Sequence, residues 1–292
     1  ANNFYQDTTL SNFQGSTITA GIYAHDDPSN IYPQSATSYP IYGSEITLNF
    51  DTLDVIELDN PSGCTTGNNI CVYLVRYQTV VRLSIINPSN NQPVIGGYHI
   101  VHERCCRNGG AGAIPGIDNI QNPGGVSMTY YAYVPPVGYE NTSPEFIKEP
   151  LPFICVSDST SALNTAIDAD GDQLIFSYVS PLDGNFSGGG NPNPNNYPNN
   201  YTLPIATVPY AAGYSFQNPF GTGGSYSVNA QNGLTNYYAA SLGKYVVAAM
   251  IQEYRVINGV SQLYGITTRE IQLNVANCPP NPPPNPPPNP PP

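Results

Sequence analysis

GKYVVAAMIQEYRV (243–256) decides the class of this fold. On length alone so apolar a run suits a buried helix, but Val246, Val247 and the flanking tyrosines are residues of a pleated surface, and they turn the reading to strand. Working outward, YGITTREIQLNV (264–275) is its natural long partner and QLIFSYV (173–179) a shorter one, and FICV (153–156) opens this half of the chain. Upstream, EITLNF (45–50) alternates Ile46, Leu48 and Phe50, and VYLVRYQTVVRLSII (72–86), GYHIVHER (97–104) and SMTYYAYV (127–134) follow as further strands. NPSNNQP and a glycine-rich stretch punctuate them. Period-two runs between turns mark sandwiches, so the expected fold is all-β: a first sandwich at 14–140 and a second at 153–278. PPVGYENTSPEFIKEPLP (135–152) lacks periodicity, and its part from 141 to 152 is the expected linker. NFSGGGNPNPNNYPNNYTLP (185–204) reads as a solvated excursion, or as a binding loop carrying Tyr197 and Tyr201.

Composition narrows the function. Eight Lys+Arg against twenty Asp+Glu give a net charge of −12, with no basic stretch to follow a phosphate backbone, so nucleic acid is excluded as a partner. The 23 Tyr, 31 Pro and 27 Gly favour strands and turns. No apolar run approaches the ~20 residues of a membrane helix, and ANNFYQD lacks the regions of a signal peptide, so the chain reads as mature and not membrane-spanning.

Six cysteines in a Lys-poor chain point to disulfides and an extracellular address. Cys64 and Cys71 flank the polar turn TTGNNI, and a bridge there is worth about 2.5 kcal/mol in the chain-entropy model. Cys105 and Cys106, in HERCCRNGG (102–110), are too close along the chain to suit each other. On a strand they face opposite ways, so they are expected to reach Cys155 and Cys278, in either order. Zinc on His99, His102 and one of these cysteines would lack a second Cys/His pair, and a thiol nucleophile would lack a positioned base, the remaining histidine being His25 in an unrelated stretch. The motif is read as a strand end whose cysteines are staples.

IDADGDQLIFSYVSPLDG (167–184) places Asp168, Asp170 and Asp172 at alternate positions around a glycine turn. Three hard oxygen ligands so spaced suit calcium, although no EF-hand glutamate follows; equally, aspartates cap their own turns.

The ordered set GGYHIVHERCCRNGG, NPGG, YYAYVPP, NTSPEF, PFICV, AIDADGDQLIFSYVSPLDG, GKYVVAAMIQEYRVINGV and NVANC, covering about residues 96–278, resembles large secreted surface proteins of the Bacteroidetes, of the gliding-motility-associated or PKD-containing, adhesin-like kind. The DADGD portion also resembles cadherin-type repeats, in which such aspartates bind calcium. Residues 1–44 and the tail depart from the pattern. The resemblance implies an exported, disulfide-bonded pair of Ig-like β-sandwiches at a cell surface, and no reaction. It also implies O-glycans at Asp-Ser/Thr triplets, which here are centred on Thr8, Thr52 and Ser159, where chance occurrence is the competing account. Asn141, Asn185 and Asn200 fit the N-glycan sequon, which matters only for a eukaryotic source.

The tail CPPNPPPNPPPNPPP must be polyproline II from 279 to 292, a stiff spacer of about 43 Å. An enzyme needs a convergent acid, base or nucleophile set, and none can be assembled from this sequence. Two readings remain: a monomeric surface adhesin or carbohydrate-binding module, with glycans as partners, and an extracellular filament or pilus-like subunit whose partners are identical copies. The second is favoured. An arm at 1–13 leads into STITAGIYA, where Ile18, Ala20, Ile22 and Ala24 share one face, the pattern of a strand donated to a neighbour's sheet or of the first strand of its own domain.

Overall fold

The computed structural model of the chain describes residues 15–24, 39–56, 72–87, 91–104, 107–109, 116–184 and 200–278. Cys64, Cys71, Cys105, Cys106, Thr8, Tyr197, Asn185, His25, the arm at 1–13 and the tail at 279–292 lie outside the described residues. The strands are β1 (Thr17–Ala24), β2 (Tyr39–Ile56), β3 (Val72–Gln78), β4 (Ile86–Asn87), β5 (Gln92–Pro93), β6 (Tyr98–Arg104), β7 (Met128–Val134), β8 (Glu145–Phe146) and β9 (Phe153–Cys155). They continue as β10 (Ser159–Leu163), β11 (Ala166–Ile167), β12 (Gln173–Val179), β13 (Asn200–Leu203), β14 (Ser225–Val228), β15 (Leu234–Tyr238), β16 (Gly243–Ile257) and β17 (Val260–Ala276). Among the described residues the one helical element is a 3-10 turn at Pro123–Gly125, so the protein is all-β.

Ten strands form one sheet in the order β12-β16-β17-β7-β6-β1-β2-β13, with β3 also on β2 and β9 parallel to β17. This sheet runs through both halves of the sequence. β7 meets β17 at Tyr133 opposite Ile266, and β13 meets β2 from Asn200 opposite Tyr42 to Leu203 opposite Tyr39. Beyond β12, Asp183 N–H donates to Ala206 O (2.8 Å) and Val208 N–H to Pro181 O (3.0 Å). Because 206–208 follows β13, this short ladder ties the two ends of the strand order to each other.

Alternation on β16 explains why so apolar a run is a strand: every residue from Tyr245 to Ile251 is buried, but on two different faces. Val246 and Met250 enter cores on one face, whereas Tyr245, Val247 and Ile251 enter cores on the other. The first face carries the core shared by both halves, in which Tyr23, Val101, Tyr131 and Tyr133 pack with Leu203, Met250 and Ile266. On the opposite face, Tyr226 and Tyr237 of the small β10-β15-β14 sheet cover Tyr245, Val247, Ile271 and Leu273, giving a two-layer sandwich. Nearer the N-terminus, Ile22, Ala24 and Tyr98 pack with Val94, beside the β4-β5 hairpin.

Four expectations need correction. Cys155 is bonded to Cys278, which removes both from the reach of Cys105 and Cys106: parallel pairing of β9 with β17 sets Cys155 opposite Ala276, so these two cysteines are brought together by the sheet itself. The run 72–86 is not one strand, because Leu83 turns in to the core around Val94 and Tyr98 and the hydroxyl of Tyr98 donates to Ser84 O, so the chain leaves β2 after Gln78. The polar stretch 185–204 ends in a strand, β13, whose Leu203 is buried in the shared core. Finally, Ile18, Ala20, Ile22 and Ala24 belong to an interior strand of their own chain, since β1 pairs with β2 along all eight residues and with β6 from Gly21 to Ala24. Its two faces are both buried from Thr19 onward, where a half-buried strand was expected.

Candidate metal centre

The aspartate loop is first of all a capped turn. Asp168 Oδ1 accepts the N–H groups of Asp170 (3.0 Å) and Asp172 (2.9 Å), and Gly171 sits at φ +80°, a conformation L residues avoid. This turn gathers one oxygen of each of Asp168, Asp170 and Asp172 within 4.8 Å of one another. Since β12 starts directly after it and pairs with β16 at Gln173 opposite Tyr254, Glu253 and Arg255 are brought beside the loop on one face of the sheet.

Two features of β17 make room for them. Gly265 lies opposite Glu253, where a Cβ would stand 2.4 Å from Glu253 Oε2. The register shift at Glu253/Tyr254 leaves Tyr264 without an opposite residue, and its ring takes the guanidinium of Arg255 at 4.2 Å from its centre. Arg255 Nε donates to both oxygens of Asp172 (2.8 and 3.0 Å), and Nη2 reaches Asp170 Oδ2 (3.2 Å) and Asn141 Oδ1 (3.0 Å). Its Nη1 donates to Glu140 O at 2.7 Å, and Thr142 N–H donates to Asp170 Oδ2 at 2.6 Å, so the segment expected to be a linker is bound into the site.

Two carboxylates of the loop, Asp170 and Asp172, therefore bind the one guanidinium, and Glu253 lies beside Asp172. The Arg255 hydrogen bonds hold Asp172 below the usual carboxylate range. Burial pushes Glu253 up to about 8, with the Asp172 carboxylate beside it adding to the shift and Asn141, which donates to Oε2 at 3.2 Å, opposing it. Glu253 is fully buried, and its Oε1 and the Asp168 Oδ2 have no hydrogen-bond partner. Two buried, unpartnered carboxylate oxygens next to an acidic turn are what a hard cation with oxygen ligands would satisfy. The sequence motif supplied only the three aspartates; it does not point to Glu253 or Arg255, and Asn141 reads there as an N-glycan sequon, the one available signal being a charged pair, Glu253 and Arg255, at the end of an otherwise apolar strand.

HERCCRNGG has a different use. Arg107 forms a bidentate pair with Glu270, through Nη1 to Oε1 and through Nη2 to Oε2 at 2.9 Å, and its Nη2 also donates to Leu182 O at 2.8 Å. Their side chains are only 1% and 9% exposed. Burial pushes the Glu270 carboxyl up, and the guanidinium beside it opposes that. Gly109 packs against Gly124, where a Cβ would lie 2.6 Å from the Gly124 Cα, so the NGG and NPGG stretches need their glycines for close approach. His99 and His102, three apart on β6, face opposite ways: His99 Nδ1 meets Tyr131 OH (2.7 Å) and His102 Nδ1 donates to Thr19 O (2.7 Å). They converge on no common ligand.

A cavity of about 370 Å³ lies where the sheet ends meet, walled by Tyr131, Leu182, Leu203, Ile205 and Glu270. Its carboxylate is the one already bound to Arg107. Thr52 and Ser159 are exposed, as a modification site must be, whereas Asn141 spends its side-chain amide on Glu253 and Arg255. Among the described residues no helix is long and apolar enough to cross a membrane. No family model, curated protein or solved structure matches this chain.

Proposed function

We propose that this chain is an extracellular structural subunit of a bacterial surface filament, stabilised by calcium and joined to identical subunits by a β-strand that the N-terminal arm adds to a neighbour's sheet. The observation that carries the reading is how the reactive side chains are spent. Arg107 ties the segment after β6 to β17, Arg255 ties β16 to the aspartate loop and to 140–141, and Arg269 lies over the ring of Phe146 while donating to Lys148 O. The disulfide fastens β9 to the end of β17. Among the described residues, these three arginines, the carboxylates of Glu270, Asp170 and Asp172, and the bonded cysteines hold separate segments together, which suits a load-bearing part exposed to an oxidising medium.

In this reading, 14–140 and 153–278 are two Ig-like units fused through a shared sheet, with the polyproline tail as a spacer. Calcium would be held by Asp168, Asp170 and Asp172 with Glu253, and would supply the positive charge that Arg255 alone does not. Because β1 is paired with β2 along its whole length and with β6 from Gly21 to Ala24, donation falls to the residues ahead of it. Negative-stain electron microscopy of the secreted protein, with calcium and with chelator, tests the proposal. Ordered filaments support it, while discrete monomers that bind on a glycan array would favour the adhesin.

A further inference from the structure

We infer that Arg255 is a resident cation that competes with calcium for the aspartate loop, so that its guanidinium sets how tightly the loop takes the metal; this rests on the calcium binding proposed above and names what regulates it. The three loop aspartates are engaged in different ways. Asp168 spends Oδ1 on its own turn, accepting the N–H groups of Asp170 and Asp172, and keeps Oδ2 buried without a partner. Asp170 gives Oδ2 to Thr142 N–H and to Arg255 Nη2. Asp172 gives both oxygens to Arg255, through Nε and Nη2. Its side chain is only 6% exposed and lies beside the fully buried Glu253, whose Oε1 has no partner. The carboxylate best placed to join Asp168 Oδ2 and Glu253 Oε1 on a cation is thus the one the guanidinium withholds.

Two observations set Arg255 against the metal and not among the parts that build its site. The turn is shaped without it, because the bonds to Asp168 Oδ1 and the left-handed Gly171 lie inside 168–172 and by themselves bring the three aspartates together, with one oxygen of each within 4.8 Å of the others. The guanidinium also has partners to keep when it parts from Asp172. The Tyr264 ring lies at 4.2 Å, Nη1 donates to Glu140 O and Nη2 to Asn141 Oδ1, and none of these is a loop carboxylate. The Arg255 side chain is 24% exposed, so one of its sides is open to solvent. A calcium ion seated among the same oxygens would face a fixed positive charge at close range, a repulsion that salt screens poorly at a partly buried site. Calcium affinity also follows the number of charged ligands, and a two-point Arg–carboxylate pair removes one of them. Taking the guanidinium away deletes a like charge and frees a ligand, and both changes act in the same direction.

The test is a calorimetric titration of calcium chloride into the full chain, comparing wild type with Arg255→Gln and Arg255→Lys, each checked for folding by a circular-dichroism melt in chelator. Heat still evolved by Asp170→Ala arises elsewhere on this acidic chain and is subtracted. Arg255→Gln is expected to bind calcium about tenfold more tightly than wild type, or tighter still. Arg255→Lys keeps the charge but loses the two-point grip on Asp172, and should fall between them. In the wild type, the Arg255 Nε–H resonance, identified by its absence from Arg255→Lys, should shift on adding calcium as Nε gives up Asp172. Should Arg255→Gln fail to fold, Arg255→Lys and this resonance carry the test. Binding by Arg255→Gln no tighter than wild type, or an Nε–H resonance that stays in place at saturating calcium, would overturn competition while leaving calcium at the loop. Binding by Arg255→Gln with none by wild type would support competition and remove calcium from the native subunit. No binding by any of the three proteins would overturn both.

Discussion

Replacing Arg107 by alanine leaves the Glu270 carboxylate buried without its partner, and should cost about 3 to 5 kcal/mol in denaturant unfolding. Arg107→Lys should recover only part of that, because an ammonium cannot make the two parallel bonds. Glu253 behaves differently, since without a cation its charge is opposed by burial and by Asp172. Glu253→Gln is therefore expected to leave the melting temperature in chelator unchanged or raised, and to diminish the rise on adding calcium; Asp170→Ala should abolish that rise. Equal melting curves with calcium and chelator in the wild type would remove the metal from the account. The aspartate triplet was legible in the sequence because its residues are local. Glu253 and Asn141 were not, since they reach it across 81 and 31 residues of chain from Asp172.

At the scale of elements, the β1-β6 seam is sensitive to acid. Burial lowers the pKa of His102, with Arg104 in the same sense and the bond to Thr19 O opposing. A histidine whose folded pKa is depressed binds its proton more readily when unfolded, so stability is full above the unfolded pKa of about 6.5 and is lost as pH falls toward the folded pKa. Wild-type stability should drop on going from pH 7.5 to 5.5 by more than that of His102→Gln, as measured by denaturant midpoints. A parallel fall in both proteins would place the acid sensitivity elsewhere. On β16, Ile251→Ala empties a fully buried site and should cost about 2 to 5 kcal/mol. Strand identity at 97–104, 127–134, 173–179 and 243–256 could be read from alternation and residue type. β13 could not, because the core that Leu203 enters is assembled by strands distant in sequence.

For the whole molecule, the bond between Cys155 and Cys278 closes a sequence separation of 123 residues, and in the chain-entropy model it is worth about 4 to 5 kcal/mol. Cys155→Ser with Cys278→Ser should lower stability by up to that amount while leaving the strand content in circular dichroism unchanged. A larger collapse would mean that the long ladder between β16 and β17 cannot hold the small β10-β15-β14 sheet without the bond.

Local chemistry in the sequence by itself determined the all-β class, the long central strands, the acidic turn and the Gly-rich punctuation between strands, because side-chain alternation, β-branching and turn residues act within a few positions of themselves. The tertiary structure decided what depends on which strands become neighbours. It merged two expected sandwiches into a shared sheet, and set Cys155 beside Cys278 through a parallel pair. It also turned a terminal strand into an interior one and set Arg255 between the aspartate loop and residues 140–141. Strand order is a property of long-range packing, and no spacing along the chain encodes it.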